Sequence, residues 1–142
     1  MRVVKQWGDI FFINKTTGGF RNNQFIMSHV NDNFEGERLT DMVNNRFQTF
    51  FSMDEVQDIN EISPFTAEYI EYSYNTFWSD NHHPGVDKTI VSKLPKGELS
   101  WLDLWKVIDK QFRKSKDYHH KFIEEITYSK TKPNTLVVFM GS

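Results

Sequence analysis

Cysteine is absent from this chain. That excludes disulfide staples and thiolate zinc sites, so any metal would have to be held by His, Asp or Glu. Apolar runs near the ~18 residues of a membrane span are also missing, and the N-terminus carries no signal-like apolar core. A cytoplasmic protein with no membrane partner is the expectation. There is no Gly-x-Ser-x-Gly elbow, and no Ser stands beside a His in a setting that would make it a nucleophile. The Gly18-Gly19 pair lacks the Lys and Ser/Thr ending of a phosphate-cradling loop, so it reads as a plain turn. With an overall charge of only −2, the chain as a whole is not expected to bind nucleic acid directly. No repeat, low-complexity segment or linker divides it, and nothing in it calls for a cofactor.

Basic residues are scarce where acidic ones are dense. Residues 31–80 hold eleven acidic side chains against Arg38 and Arg46 alone, a local charge of −9, while the preceding stretch sums to +3 and the following one to +4. Ten of the chain's aromatics fall in the same stretch. A length of 142 residues, with 15% aromatics, suits a single domain over 1–142 with a sizeable core.

Element by element, β-branched and aromatic residues around Gly18-Gly19 predict a hairpin over 2–30, with His29 near a strand end. From Gly36 to Ser52, Leu39, Met42, Val43, Phe47, Phe50 and Phe51 recur on one face of a helix. Ser52 and Glu55 have capping-box spacing, which predicts a short helix carrying Met53, Val56 and Ile59. Ser63-Pro64 has the form of another start signal, for a helix over Phe65 to Trp78 with two opposite apolar faces. Such a helix is either sandwiched or leaves its Phe65, Tyr69 and Tyr72 face for a partner.

A loop with a short strand at Thr89-Ile90-Val91 follows. Ser100 then caps a helix to about Lys114, with Trp101, Leu104, Trp105, Ile108 and Phe112 facing the core. Phe122 to Tyr128 and Thr135 to Met140 read as a second hairpin, its last strand inside the sheet because Leu136 to Phe139 are continuously apolar. The expected fold is α+β: one antiparallel sheet from N-terminal and C-terminal hairpins, packed against three to four helices.

Two constellations carry chemistry. Asp80-x-His82-His83 and Asp117-x-His119-His120 repeat one pattern and together offer four imidazoles and two carboxylates, enough for a metal-bound water and a hydrolase. Adjacent histidines diverge on most backbones, however, and neither copy has the spacing that puts two ligands on one helix face. The basic strip of Lys106, Lys110, Arg113, Lys114, Lys116 and Lys121 is broken up by Asp109 and Asp117 and preceded by Asp103, and reads as a solvated face.

The second constellation is Asp54, Glu55, Asp58, Glu61, Glu68 and Glu71, a span without any basic residue, with Tyr69 and Tyr72 among them. Unneutralised acid beside large rings with polar tips is the composition of a surface that steers in and grips a basic partner. The expectation is therefore a small binding or inhibitor protein that neutralises a basic toxin or nuclease-like enzyme. Inhibitors of nucleases, immunity proteins and phage inhibitors work by that logic. The alternative is a metal-dependent hydrolase using the paired loops, and a structural subunit of a larger assembly is a third reading.

Overall fold

A computed structural model describes residues 33–80, 84–117 and 119–142. The hairpin expected over 2–30, together with His29, lies outside them. In chain order the elements are α1 (Asn33–Asn44), β1 (Phe50–Phe51), β2 (Tyr69–Asn75), α2 (Phe77–Asp80), β3 (Asp87–Lys93), α3 (Trp101–Ser115), β4 (Phe122–Tyr128) and β5 (Thr135–Gly141).

α3 forms where the sequence places it. The Ser100 side chain accepts the Asp103 N–H at 3.0 Å while the Asp103 carboxylate accepts the Ser100 N–H at 3.0 Å. This reciprocal box satisfies two of the donors that a helix start leaves open. The helix ends at Lys116, in the left-handed region with φ 57, whose N–H returns to Arg113 O. Its buried stripe of Trp101, Leu104, Trp105, Ile108 and Phe112 lies against the sheet. Gln111 fixes it there by donating to the carbonyls of Ile70 at 2.9 Å and Ile90 at 3.3 Å. A second tie is Asp109, whose carboxylate accepts from the Thr49 N–H at 2.9 Å, the Thr49 hydroxyl at 2.7 Å and the Gln48 N–H at 2.8 Å.

The five strands make one open sheet in the order β1-β4-β5-β2-β3. β5 is central, as its apolar run predicts. Pairing is mixed: β1 with β4 and β2 with β5 run parallel, β2 with β3 and β4 with β5 antiparallel. This corrects the expected antiparallel sheet on three to four helices. Among the described residues there are two long helices and one single turn, and the fold is dominated by its sheet.

The largest error falls on Phe65 to Trp78, which holds a strand and not a long helix. Over Tyr69-Ile70-Glu71-Tyr72-Ser73 burial alternates residue by residue. Ile70 and Tyr72 are buried in the core with Tyr74 packed against it, while Tyr69 and Ser73 point the other way. Two opposite apolar faces on a helical wheel are what a period of two produces, and Tyr and Ile favour strands.

The helix over Gly36 to Ser52 is likewise shorter than expected. It stops at Asn44, Arg46 turns through φ 57, and Phe50-Phe51 become β1 beside Phe122-Ile123. No helix starts at Ser52, whose N–H and hydroxyl both donate to Ile123 O at 3.0 Å and so prolong the β1–β4 pairing. At Ser63 the hydroxyl accepts the Phe65 N–H at 3.3 Å in a local turn. That bond competes with helix formation instead of starting it.

The core lies between α3 and one face of the sheet, with Leu39 and Met42 of α1 joining it. The opposite face carries Tyr69, Val91 and Phe139 in exposed positions. No described helix is long and apolar enough to cross a membrane.

Candidate functional site

The acidic stretch from Asp54 to Glu61 is not on a helix but on an irregular segment of turns that crosses the start of α3. Arg38 pins its beginning: the guanidinium is buried and donates to the carbonyls of Phe51 and Val56. Val56 and Ile59 dip into the core. At the other end the Ser63 N–H donates to Leu99 O at 2.7 Å, and the Trp101 and Leu102 N–H groups at the α3 start donate to the carbonyls of Glu61 and Ile59. With Met53, Val56 and Ile59 turned inward, the segment leaves Asp54, Glu55, Asp58 and Glu61, together with Ile62, exposed to solvent. None of the four is in an ion pair among the described residues.

α1 adds to this surface. Burial first, then the nearby Asp58 and Glu37 carboxylates, raise the Asp41 carboxyl above its ordinary value in spite of Arg38. Like charges crowd there, which is the physical mark of an un-neutralised patch. The contribution of Glu37 and Asp41 is missed by reading 54–71 alone, although the negative count over 31–80 contains them.

β2 divides the remaining expected residues. Glu68 is exposed and Tyr69 retains 38% of its surface. Glu71 is ion-paired to Lys132, a partner so distant in sequence that no spacing points to it. Tyr72 is a correction: at 1% exposure it cannot touch a partner. Burial pushes its phenol far above the usual range, with Ser115 as its hydrogen-bond partner. Tyr69 and Tyr72 are three apart, which would align them on a helix but sets them on opposite faces of a strand.

The histidine constellation resolves differently. His82 and His83, and the Asp80 side chain, lie outside the described residues. Their neighbours do come close to the second copy: the Ser79 hydroxyl donates to Ser115 O at 2.6 Å, and Trp78 packs edge-on against His119 at 4.6 Å and His120 at 5.5 Å.

Within that copy, Asp117 is buried and accepts on Oδ1 from the His119 N–H at 2.7 Å, while Oδ2 bonds His120 Nδ1 at 2.8 Å. Burial alone would raise the Asp117 carboxyl. The imidazole and the two backbone N–H groups outweigh it and hold the carboxyl below its ordinary value. The same bond raises the His120 imidazole above its own. Asp117 thus spends both oxygens on its own turn. No group of three His, Asp or Glu able to hold a metal occurs among the described residues. His120 and Asp117 border a cleft of about 550 Å³ that is also lined by Tyr74, Trp78, Asp87 and Phe139.

No family model, no curated protein and no solved structure matches the chain. The site is therefore read from its own chemistry. Of the two constellations, the acidic one keeps six of its eight residues exposed, namely Asp54, Glu55, Asp58, Glu61, Glu68 and Tyr69.

Proposed function

We propose that this is a small binding protein that neutralises a basic protein, of the kind that handles nucleic acid or acts as a toxin, through Asp54, Glu55, Asp58, Glu61, Glu68 and Tyr69. One observation carries the reading. Five exposed carboxylates in a stretch without any Lys or Arg have no ion-pair partner among the described residues. Self-repulsion of that kind costs folding stability and is repaid when a positive surface arrives. Charge supplies rate and selectivity, and the Tyr69 ring supplies contact area. A cytoplasmic setting goes with this reading.

The test is affinity capture from host proteins at low salt, followed by association kinetics with the basic companion retained. Reversing Asp54, Glu55 and Asp58 to Lys should slow association by roughly tenfold or more and flatten its salt dependence, with little change in dissociation. An on-rate and salt slope identical to wild type would remove the proposal. A second reading, metal-dependent hydrolysis by Asp80, His82, His83, Asp117, His119 and His120, is favoured only by the contacts of Trp78 and Ser79 with the second copy. Failure of metal-free protein to take up zinc or manganese at neutral pH would end it.

A further inference from the structure

β3 closes the sheet on one side, and among the described residues no strand lies against its outer edge. Seven residues long, it leaves Asp87, Lys88, Thr89, Val91 and Lys93 exposed. The direction of its free backbone groups follows from the ladder. Leu94 N–H donates to Glu68 O at 2.7 Å and Thr76 N–H to Val86 O at 2.9 Å. These bonds continue the β2–β3 register, so the hydrogen-bonded pairs are Ile70 with Ser92, Tyr72 with Ile90 and Tyr74 with Lys88. The N–H and C=O groups of Asp87, Thr89, Val91 and Lys93 therefore point outward. An open edge of this length is a template for another strand.

We propose that β3 pairs antiparallel with β3 of a second copy about a two-fold axis through Ile90. In this register Asp87 faces Lys93 of the second copy, Thr89 faces its Val91, and Ile90 faces Ile90. Three features agree. All the facing pairs among Asp87, Thr89, Val91 and Lys93 join residues whose backbone groups already point outward, so each is a hydrogen-bonded pair. The two charged ends meet with opposite sign, twice, because the contact is self-complementary. A slip of two residues in either direction separates every Asp87 from its Lys93. The opposite end of the sheet is β1, only two residues long and fully buried, so pairing stops at a closed dimer and does not continue into a fibre. Nothing in this contact uses residues 54–69, so it stands or falls apart from the binding role.

Sedimentation of the full chain across a concentration series is the test, with circular dichroism to confirm folding of each variant. The wild type should associate to a dimer. Asp87→Lys and Lys93→Asp should each weaken self-association by roughly tenfold, since each turns two attractive pairs repulsive. An equimolar mixture of the two should form a heterodimer, because Asp and Lys again face each other across both ends. Val91→Pro, which removes an outward N–H and spares the bonds to β2, should abolish the dimer. A chain that stays monomeric to millimolar concentration overturns the proposal. So does a dimer unmoved by the single reversals, or a mixture of the two that fails to associate.

Discussion

Ser100 to Ser115 and Ser63 to Trp78 are both aromatic-rich, both begin with a serine that could cap, and both show apolar residues at three- and four-residue spacings. One is a helix and the other holds a strand. The difference lies in which local signals agree. In the first, the Ser100 cap is closed by Asp103, the interior is Leu, Lys, Asp, Gln and Arg, and the apolar residues occupy one stripe. Propensity, cap and pattern point the same way. In the second, the Ser63 hydroxyl bonds in a local turn, the interior is Tyr, Ile and Ser, and the apolar residues occupy two stripes. A second apolar face on a supposed surface helix is better read as alternation in a strand.

The sharpest way to break this comparison is to truncate two tyrosines that a helix would align and a strand separates. Tyr72→Ala should lower unfolding free energy by about 3–5 kcal/mol, because a buried ring leaves a cavity. Tyr69→Ala should cost under about 1 kcal/mol, as exposed substitutions do. Urea unfolding of both variants measures this. Equal losses would mean that the segment is not the alternating strand described.

Much of the fold was legible, and the legible part was local. The α3 cap and stripe, the β4–β5 hairpin, the strand about Ile90 and the central place of β5 all follow from residues near one another in sequence. What could not be read was long-range pairing. Phe50 and Phe51 belong beside Phe122 and Ile123, yet their spacing from Leu39 and Met42 continues a helical stripe by coincidence, and only the turn at Arg46 breaks it. Where β2 inserts, parallel to β5, is likewise set by a register with Thr135 to Val138 that no local pattern encodes.

The candidate site divides by the same rule. Acid without nearby base is a property of a continuous stretch, so Asp54, Glu55, Asp58 and Glu61 could be found. The neutralisation of Glu71 by Lys132 and the burial of Tyr72 depend on the sheet, and so could not. In the histidine motif, repetition drew attention to pairing between the two copies; the first copy's histidines lie outside the described residues, and the interaction seen among those described is within the second, between Asp117 and His120.

A smaller effect isolates the cap from the stripe. Ser100→Ala keeps every buried side chain of α3 but leaves the Asp103 N–H without its acceptor. The expected loss is about 1 kcal/mol, with Ser100→Gly losing less. If thermal unfolding of Ser100→Ala matched wild type, the box would contribute nothing, and the buried stripe alone would separate α3 from the β2 segment.

At the other end of α3 the expected effect is smallest and has a defined pH window. Asp117 is held below its ordinary value of 3.8, so its contribution is present above that pH and lost as pH falls through the lowered folded value. His120 is raised above its ordinary 6.5, so its contribution is complete below that pH and lost as pH rises through the raised folded value. The pair is therefore fully stabilising between 3.8 and 6.5. The imidazole is partly exposed and screened by solvent, which limits the gain to no more than about 1 kcal/mol. His120→Asn keeps an amide donor near Nδ1 but cannot titrate. The stability difference between wild type and this variant should be largest near pH 6 and shrink toward pH 8, as followed by denaturant midpoints. A difference that is flat across that range would show that the contact acts as a neutral hydrogen bond. The α3 C-terminus would then be held without help from charge that titrates.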